Sequence, residues 1–194
     1  MILIKKFVMV LGVKAMVYLF LAEGFEEVEA LCPLDLLRRA GVEVTTVGVG
    51  GDIIRGSHKI SVGVDMRDTM YNDYRPEMII LPGGMPGTVN LDSSDTVDMA
   101  IRAAINNNSY IAAICAAPMI LGKRGLLEGK RAVCFPGFEG ELAGAKVEAN
   151  EKVVRDGSII TAKGMGVALE FGLELVSLLK GKDAADRIKK SVQA

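Results

Sequence analysis

Cys115 ends a run of strand-forming apolar residues in Tyr110-Ile111-Ala112-Ala113-Ile114-Cys115-Ala116-Ala117-Pro118. Small residues and a proline follow, then an apolar stretch suited to a helix start. A strand that feeds a helix through one sharp turn lifts the turn residue out of the sheet, as in a nucleophile elbow with sulfur in the serine position. A helix beginning at Ala116 would aim unpaired N–H groups and its positive dipole end at the thiol, favouring the reactive thiolate. A buried cysteine at a strand end fits the same residues, since free cysteine is among the most buried residue types.

A second chemical cluster is Glu23, Glu26, Glu27 and Glu29, at the start of a helical pattern. Acidic residues in a first helical turn complement the helix dipole, which accounts for Glu26 and Glu27. Glu29 neighbours the apolar stripe residues Val28 and Leu31. A carboxyl in a partly apolar pocket has a raised pKa and can exchange a proton. The third segment is Leu81-Pro82-Gly83-Gly84-Met85-Pro86-Gly87. Gly83 and Gly84 can bring backbone N–H groups close to a ligand oxygen as an oxyanion hole, and a tight turn explains them equally well. The loop lacks the GxxxxGK[ST] pattern of a phosphate loop. Gly164-Met165-Gly166 reads as a structural turn near the site.

The elements that must position these groups alternate between strand and helix. Residues 16–21 form a continuous apolar run, as in a strand buried on both faces. Residues 26–40 carry apolar side chains at helical spacing and end at Gly41, a helix stop. Further strands are expected over 42–49, 59–64, 78–81, 110–114, 131–135 and 158–162. Helices are expected over 92–107, 167–179 and 183–192. This order implies a doubly wound, mostly parallel sheet sandwiched by helices. Ligands bind beyond the carboxyl ends of such strands, and Cys115, Gly83-Gly84 and the 23–29 segment all follow strand ends.

The chain has 194 residues, half of them apolar, and a formal net charge of −1. It is long enough for a substantial core, and neither disorder nor nucleic-acid binding is suggested. Three cysteines without metal-ligand spacing argue against a disulfide framework or structural zinc and fit a reducing, cytoplasmic setting. The single histidine, His58, excludes sites that need two. Cys32 and Cys134 read as small apolar fillers, His58 as a loop residue and Arg38-Arg39 as the cationic end of the first helix. The apolar run after Lys5-Lys6 is too short to span a bilayer. Residues 1–13 read as an extension, with Met9 or Met16 as alternative starts, and 14–194 as one domain.

Together these residues carry a resemblance. Ala22-Glu23-Gly24-Phe25-Glu26-Glu27-Val28-Glu29-Ala30, Pro33-Leu34-Asp35-Leu36-Leu37-Arg38-Arg39-Ala40-Gly41, Leu81-Pro82-Gly83-Gly84, the Cys115 segment, and Asp156-Gly157 through Thr161-Ala162-Lys163-Gly164 run in family order. The chain resembles the ThiJ/PfpI superfamily, in the branch of the parkinsonism-associated deglycase and bacterial ThiJ-like proteins. The resemblance implies a flavodoxin-like sandwich, a homodimer and no cofactor or metal. It implies a reactive Cys115 partnered by Glu29, with Gly84 and Ala116 as backbone donors lining the pocket beside Gly83, the oxyanion-hole candidate. It places His58 near the neighbouring subunit's site, with Arg39 as a further supporting or cross-subunit residue. One departure is Phe135, where protease-like and some deglycase-like members carry a histidine, so a Cys-His-acid triad is unavailable from that position.

The expected activity is a cofactor-independent glyoxalase or deglycase acting on 2-oxoaldehydes such as methylglyoxal, or on glycated protein. Cys115 would be the nucleophile and Glu29 the acid/base. The alternative is a redox-sensing or chaperone-like protein working through oxidation of Cys115. An intracellular peptidase or amidase rests on analogy alone.

Overall fold

A computed structural model of the protein describes residues 16–194; the expected 1–13 extension lies outside the described residues. The strands are β1 (Val17–Ala22), β2 (Val44–Val49), β3 (Ile53–Arg55), β4 (Ser61–Gly63), β5 (Met66–Arg67), β6 (Met78–Leu81), β7 (Tyr110–Ile114), β8 (Arg131–Ala132), β9 (Lys146–Val147), β10 (Val153–Asp156) and β11 (Ile159–Ala162). The helices are α1 (Glu27–Arg39), α2 (Gly87–Asp92), α3 (Asp95–Asn106), α4 (Pro118–Lys123), α5 (Ala168–Lys180) and α6 (Lys182–Ser191).

The main sheet runs β10-β11-β7-β6-β1-β2-β5, parallel except for the edge strand β10, which pairs antiparallel with β11. Every residue of β1, β6 and β11 is buried, as two-sided coverage requires. Side chains alternate between faces. Val17, Leu19 and Leu21 join the core under α1, α5 and α6, while Tyr18, Phe20 and Ala22 join the core under α2, α3 and α4. The expected doubly wound sandwich is therefore present. After β2 the chain returns to the other side of β1 through β6, so β1 and β6 flank the switch in strand order where such folds open a crevice.

Several expected elements differ in extent. The 92–107 helix is α3, which starts only at Asp95 because Ser94 caps it by accepting the Val97 N–H, and a separate helix that was not expected, α2, precedes it over Gly87–Asp92. The 59–64 strand is the second arm of a separate hairpin, β3–β4, and 131–135 shortens to β8, paired with β9 outside the main sheet. Both are held by loop contacts that apolar periodicity does not encode.

α1 packs closely on α5. A Cβ on Gly172 would stand 2.6 Å from Leu36 Cδ1 and 2.9 Å from Pro33 Cα. Pro33 lies inside α1 and cannot donate to the Glu29 carbonyl one turn earlier. The backbone at Glu29 is thus held by its cap and by this packing. Gly172→Ala should overpack the contact and cost about 1–3 kcal/mol, read as a lower urea midpoint with an unchanged slope.

Candidate active site

Cys115 stands at the end of β7 with φ +65°, a left-handed conformation that side chains rarely adopt. Its neighbours fix that conformation. The Cys115 N–H donates to the Ala162 carbonyl at 2.9 Å, and the Cys115 carbonyl accepts the Phe135 N–H at 2.8 Å. Strain of this kind persists only where the surroundings over-determine it. The elbow expected from the sequence is present, although the helix proper begins at Pro118 rather than Ala116.

Glu29 reaches the same point from α1. Glu26 is the N-cap, and its Oε2 accepts the Glu29 backbone N–H at 2.7 Å. The Glu29 residue is only 1% exposed. Its Oε2 accepts the Gly83 N–H at 3.0 Å, and its carboxyl also takes a hydrogen bond from the Met165 N–H. The Cys115 and Glu29 side chains hydrogen-bond each other, and the N–H groups of Ala116 and Gly84 point to the sulfur. No side chain fits at the two glycines. A Cβ on Gly83 would stand 2.6 Å from both Cys115 Cβ and Glu29 Oε2, while Gly84 has φ +88° and lies against the Glu26 backbone.

The electrostatics invert one expectation. Burial pushes the Glu29 carboxyl up, the nearby Glu26 charge adds to it, and hydrogen bonds only partly oppose it, leaving a pKa of about 7. Burial, followed by the charge of and hydrogen bond to Glu29, pushes the Cys115 thiol up to about 12 against the pull of the Ala116 and Gly84 N–H groups. The downward pull of the N–H groups after the elbow, expected from the sequence, is present at Ala116 but is outweighed by burial and by Glu29. The thiolate forms when its proton passes to Glu29, so the pair holds one negative charge between two atoms.

Gly83 is a second correction. Its N–H is engaged by Glu29, so it holds the base and leaves Gly84 and Ala116 as the donors on the sulfur. Arg39 is a third. It ends α1, ten residues and about 15 Å along the helix from Glu29, and its exposed guanidinium pairs with Asp35 at 2.6 Å. Within one chain it does not reach the pair. Two contributors were overlooked in the sequence, the Glu26 cap and the Met165 N–H. Glu26-x-x-Glu29 has the spacing of a capping box, a signal that could have exposed the first.

His58 is not at the sulfur either. Its Nδ1 lies 2.9 Å from Glu27 Oε2 and its backbone N–H donates to Glu27 Oε1 at 2.8 Å. Glu27 is 4% exposed and also accepts from Ser57 Oγ and the Ile60 N–H, each at 3.4 Å. Among the described residues, Glu26, Glu27 and His58 form a group whose polar atoms lie within 4.8 Å of one another, close enough to hold a metal. These acidic oxygens are already taken by protein donors at the positive end of α1, where a cation is disfavoured. The group acts as a clamp on the turn between β3 and β4. Burial pushes Glu27 up, but His58 and the backbone N–H groups hold it below the usual carboxylate range, and Glu27 in turn raises His58. The ion pair is therefore complete below the ordinary histidine value of 6.5 and is lost as pH rises through the raised one. In Glu27→Gln, an NMR titration of His58 should fall back towards 6.5.

A partly exposed thiol beside a buried carboxyl, on an elbow at the carboxyl edge of a doubly wound sheet, makes a candidate cysteine-based site. The chain matches the DJ-1/PfpI family over residues 15–178 and belongs to it. It is 34% identical over 174 residues to protein dj-1beta of Drosophila melanogaster, covering 89% of this chain and 93% of that one. The crystal structure of Drosophila DJ-1beta superimposes with a TM-score of 0.89 at 31% identity, covering 93% and 98% of the two chains. A protein named as a deglycase from Pyrococcus abyssi is 31% identical over 161 residues, covering 82% of this chain and 96% of that one. Protein DJ-1 homolog B of Arabidopsis thaliana is longer: the chain, 36% identical over 166 residues and matched over 84% of its length, spans 38% of it. No helix among the described residues is long and apolar enough to cross a membrane.

Proposed function

We propose that the protein is a cofactor-independent glyoxalase or deglycase acting on 2-oxoaldehydes. The observation that carries this reading is the pairing of the partly exposed Cys115 with the buried Glu29, poised at about 7. A carboxyl at that value can take and return protons near neutral pH. Glu29 accepts the thiol proton as the sulfur attacks the aldehyde carbon, then delivers it to the new alkoxide to complete a hemithioacetal. The carboxylate next removes the carbon-bound proton, and the resulting enediol is reprotonated at the adjacent carbon. The product is a 2-hydroxy thioester, which water cleaves to the hydroxy acid and free thiol. The Gly84 and Ala116 N–H groups, which face the sulfur, are the donors available to developing oxygen charge.

The reading includes a homodimer in a cytoplasmic setting. Support for the dimer comes from exposed Val28 and Ile60 beside the Glu27–His58 clamp and from exposed Ile53 in the adjoining hairpin. In a dimer, His58 and Arg39 would be the residues to examine for contacts across the interface. Residues 14–194 act as one unit in this reading.

A redox role is the second reading. Cys115 is partly exposed, and a protonated Glu29 with two backbone donors would hold the oxygens of a sulfinate. A peptidase gains no support, since Phe135 offers no base and His58 is bound to Glu27. The test is lactate formation from methylglyoxal without glutathione. Wild type should turn over and Cys115→Ser should not; equal rates would eliminate the enzymatic reading and favour the redox one.

A further inference from the structure

Three large apolar side chains stand exposed around the pair: Met85 at 48%, Phe135 at 47% and Met165 at 52%. Each adjoins a group that touches the site. Met85 follows Gly84, whose N–H points to the sulfur; the Phe135 N–H holds the Cys115 carbonyl; the Met165 N–H is on Glu29. The Phe135 ring and Glu29 also meet the same open side of Gly164. A Cβ built there would lie 3.1 Å from Phe135 Cδ2 and 3.9 Å from Glu29 Oε1. Single exposed apolar residues are ordinary on protein surfaces, but here three belong to the backbone segments that touch one thiol–carboxyl pair, and the Phe135 ring lies on the Glu29 side of Gly164.

The charges point the same way. The main influences on Cys115 and Glu29 are burial, each other, Glu26 and backbone N–H groups, with no cation among them. A carboxylate or phosphate on the substrate would be repelled by Glu26 and by the Glu29 carboxylate beside the sulfur. An uncharged apolar group would instead leave water against an aromatic ring and pliable thioethers.

We propose that Phe135, Met165 and Met85 form a seat for a neutral, apolar substituent on the substrate carbonyl, so that the site prefers aryl and larger alkyl 2-oxoaldehydes to those bearing an anionic group. This preference rests on the glyoxalase reading, and it extends to any electrophile that approaches the Cys115 sulfur.

Two measurements test it together. In turnover, wild type should show kcat/KM for phenylglyoxal about tenfold above that for methylglyoxal, the scale on which apolar pockets discriminate. Phe135→Ala should reduce that ratio several-fold, mainly through KM for phenylglyoxal. In alkylation, the rate at Cys115, normalised to free cysteine, should fall in the order N-benzyliodoacetamide, iodoacetamide, iodoacetate. Phe135→Ala should remove the benzyl advantage. If neither aldehyde is turned over but the benzyl preference is present and lost in Phe135→Ala, the seat stands and the enzymatic reading falls. If turnover occurs without a phenylglyoxal preference, or Phe135→Ala leaves both preferences intact, the seat is wrong and the enzymatic reading stands.

Discussion

Glu29→Gln should lower kcat/KM for methylglyoxal by about 10²–10⁴-fold, the contribution general acid–base groups make. The amide keeps a carbonyl oxygen for the Gly83 N–H, which now sits 3.0 Å from Glu29 Oε2, so the loop should stay in place. What is lost is the group that takes the thiol proton and then the carbon-bound proton. The same substitution should stabilise the fold at neutral and alkaline pH. The Glu29 carboxyl moves from an ordinary 4.5 to about 7 on burial, so the folded state holds its proton longer than the unfolded chain. The associated penalty is absent below 4.5, grows as pH rises through that interval, and is complete above about 7. At about 1.4 kcal/mol per pH unit this is on the order of 3 kcal/mol. Urea unfolding at pH 8 should therefore show Glu29→Gln more stable than wild type, with the difference shrinking towards pH 4.5. A variant both inactive and stabilised is the signature of a residue kept for chemistry. A variant inactive and destabilised at pH 8 would point to a structural role instead.

Gly83→Ala is expected to be nearly as damaging for a different reason. The added Cβ would stand 2.6 Å from Cys115 Cβ and from Glu29 Oε2, with the Ile114 carbonyl oxygen at 3.0 Å. The pair must open or the loop must withdraw, and withdrawal breaks the Glu29 hydrogen bond and shifts the Gly84 N–H off the sulfur. Misplacement of about 1 Å at a reacting centre can cost 10²-fold, and overpacking should cost about 1–3 kcal/mol of stability. Activity and stability should thus fall together here, in contrast to Glu29→Gln. Activity near the wild-type level would mean that the loop moves freely and that contact between the thiol and the carboxyl is unnecessary.

The five inner strands of the main sheet were legible because they are largely buried on both faces, whereas the partly exposed edge strands β5 and β10 were not expected. Runs such as 78–81 and 110–114 are apolar throughout, and their ends in the structure coincide with the expected ones. The β3–β4 hairpin was half missed because its turn is held by a distant carboxyl, Glu27, and by backbone bonds rather than by alternation. Cys115 and Glu29 could be picked out by residue type beside a strand end or helix start. The state of the pair could not, because the pKa values follow from burial and mutual contact that exist only once β7, α1 and the 82–87 loop converge. Gly83 was assigned to an oxyanion site for the same reason: glycine type reveals a close approach but not which atom approaches. Met165 contributes through its backbone, where the side chain carries no signal.

The most direct measurement is the pH dependence of kcat/KM for methylglyoxal in wild type beside Glu29→Gln. With Glu29 as the base, its charged form is the active one, so the wild-type rate should rise through about 7 and then level off. Glu29→Gln should show a low residual rate without that inflection. A wild-type profile flat across neutral pH, or an inflection that survives unchanged in Glu29→Gln, would contradict the assignment of Glu29 as the group that moves the proton for Cys115.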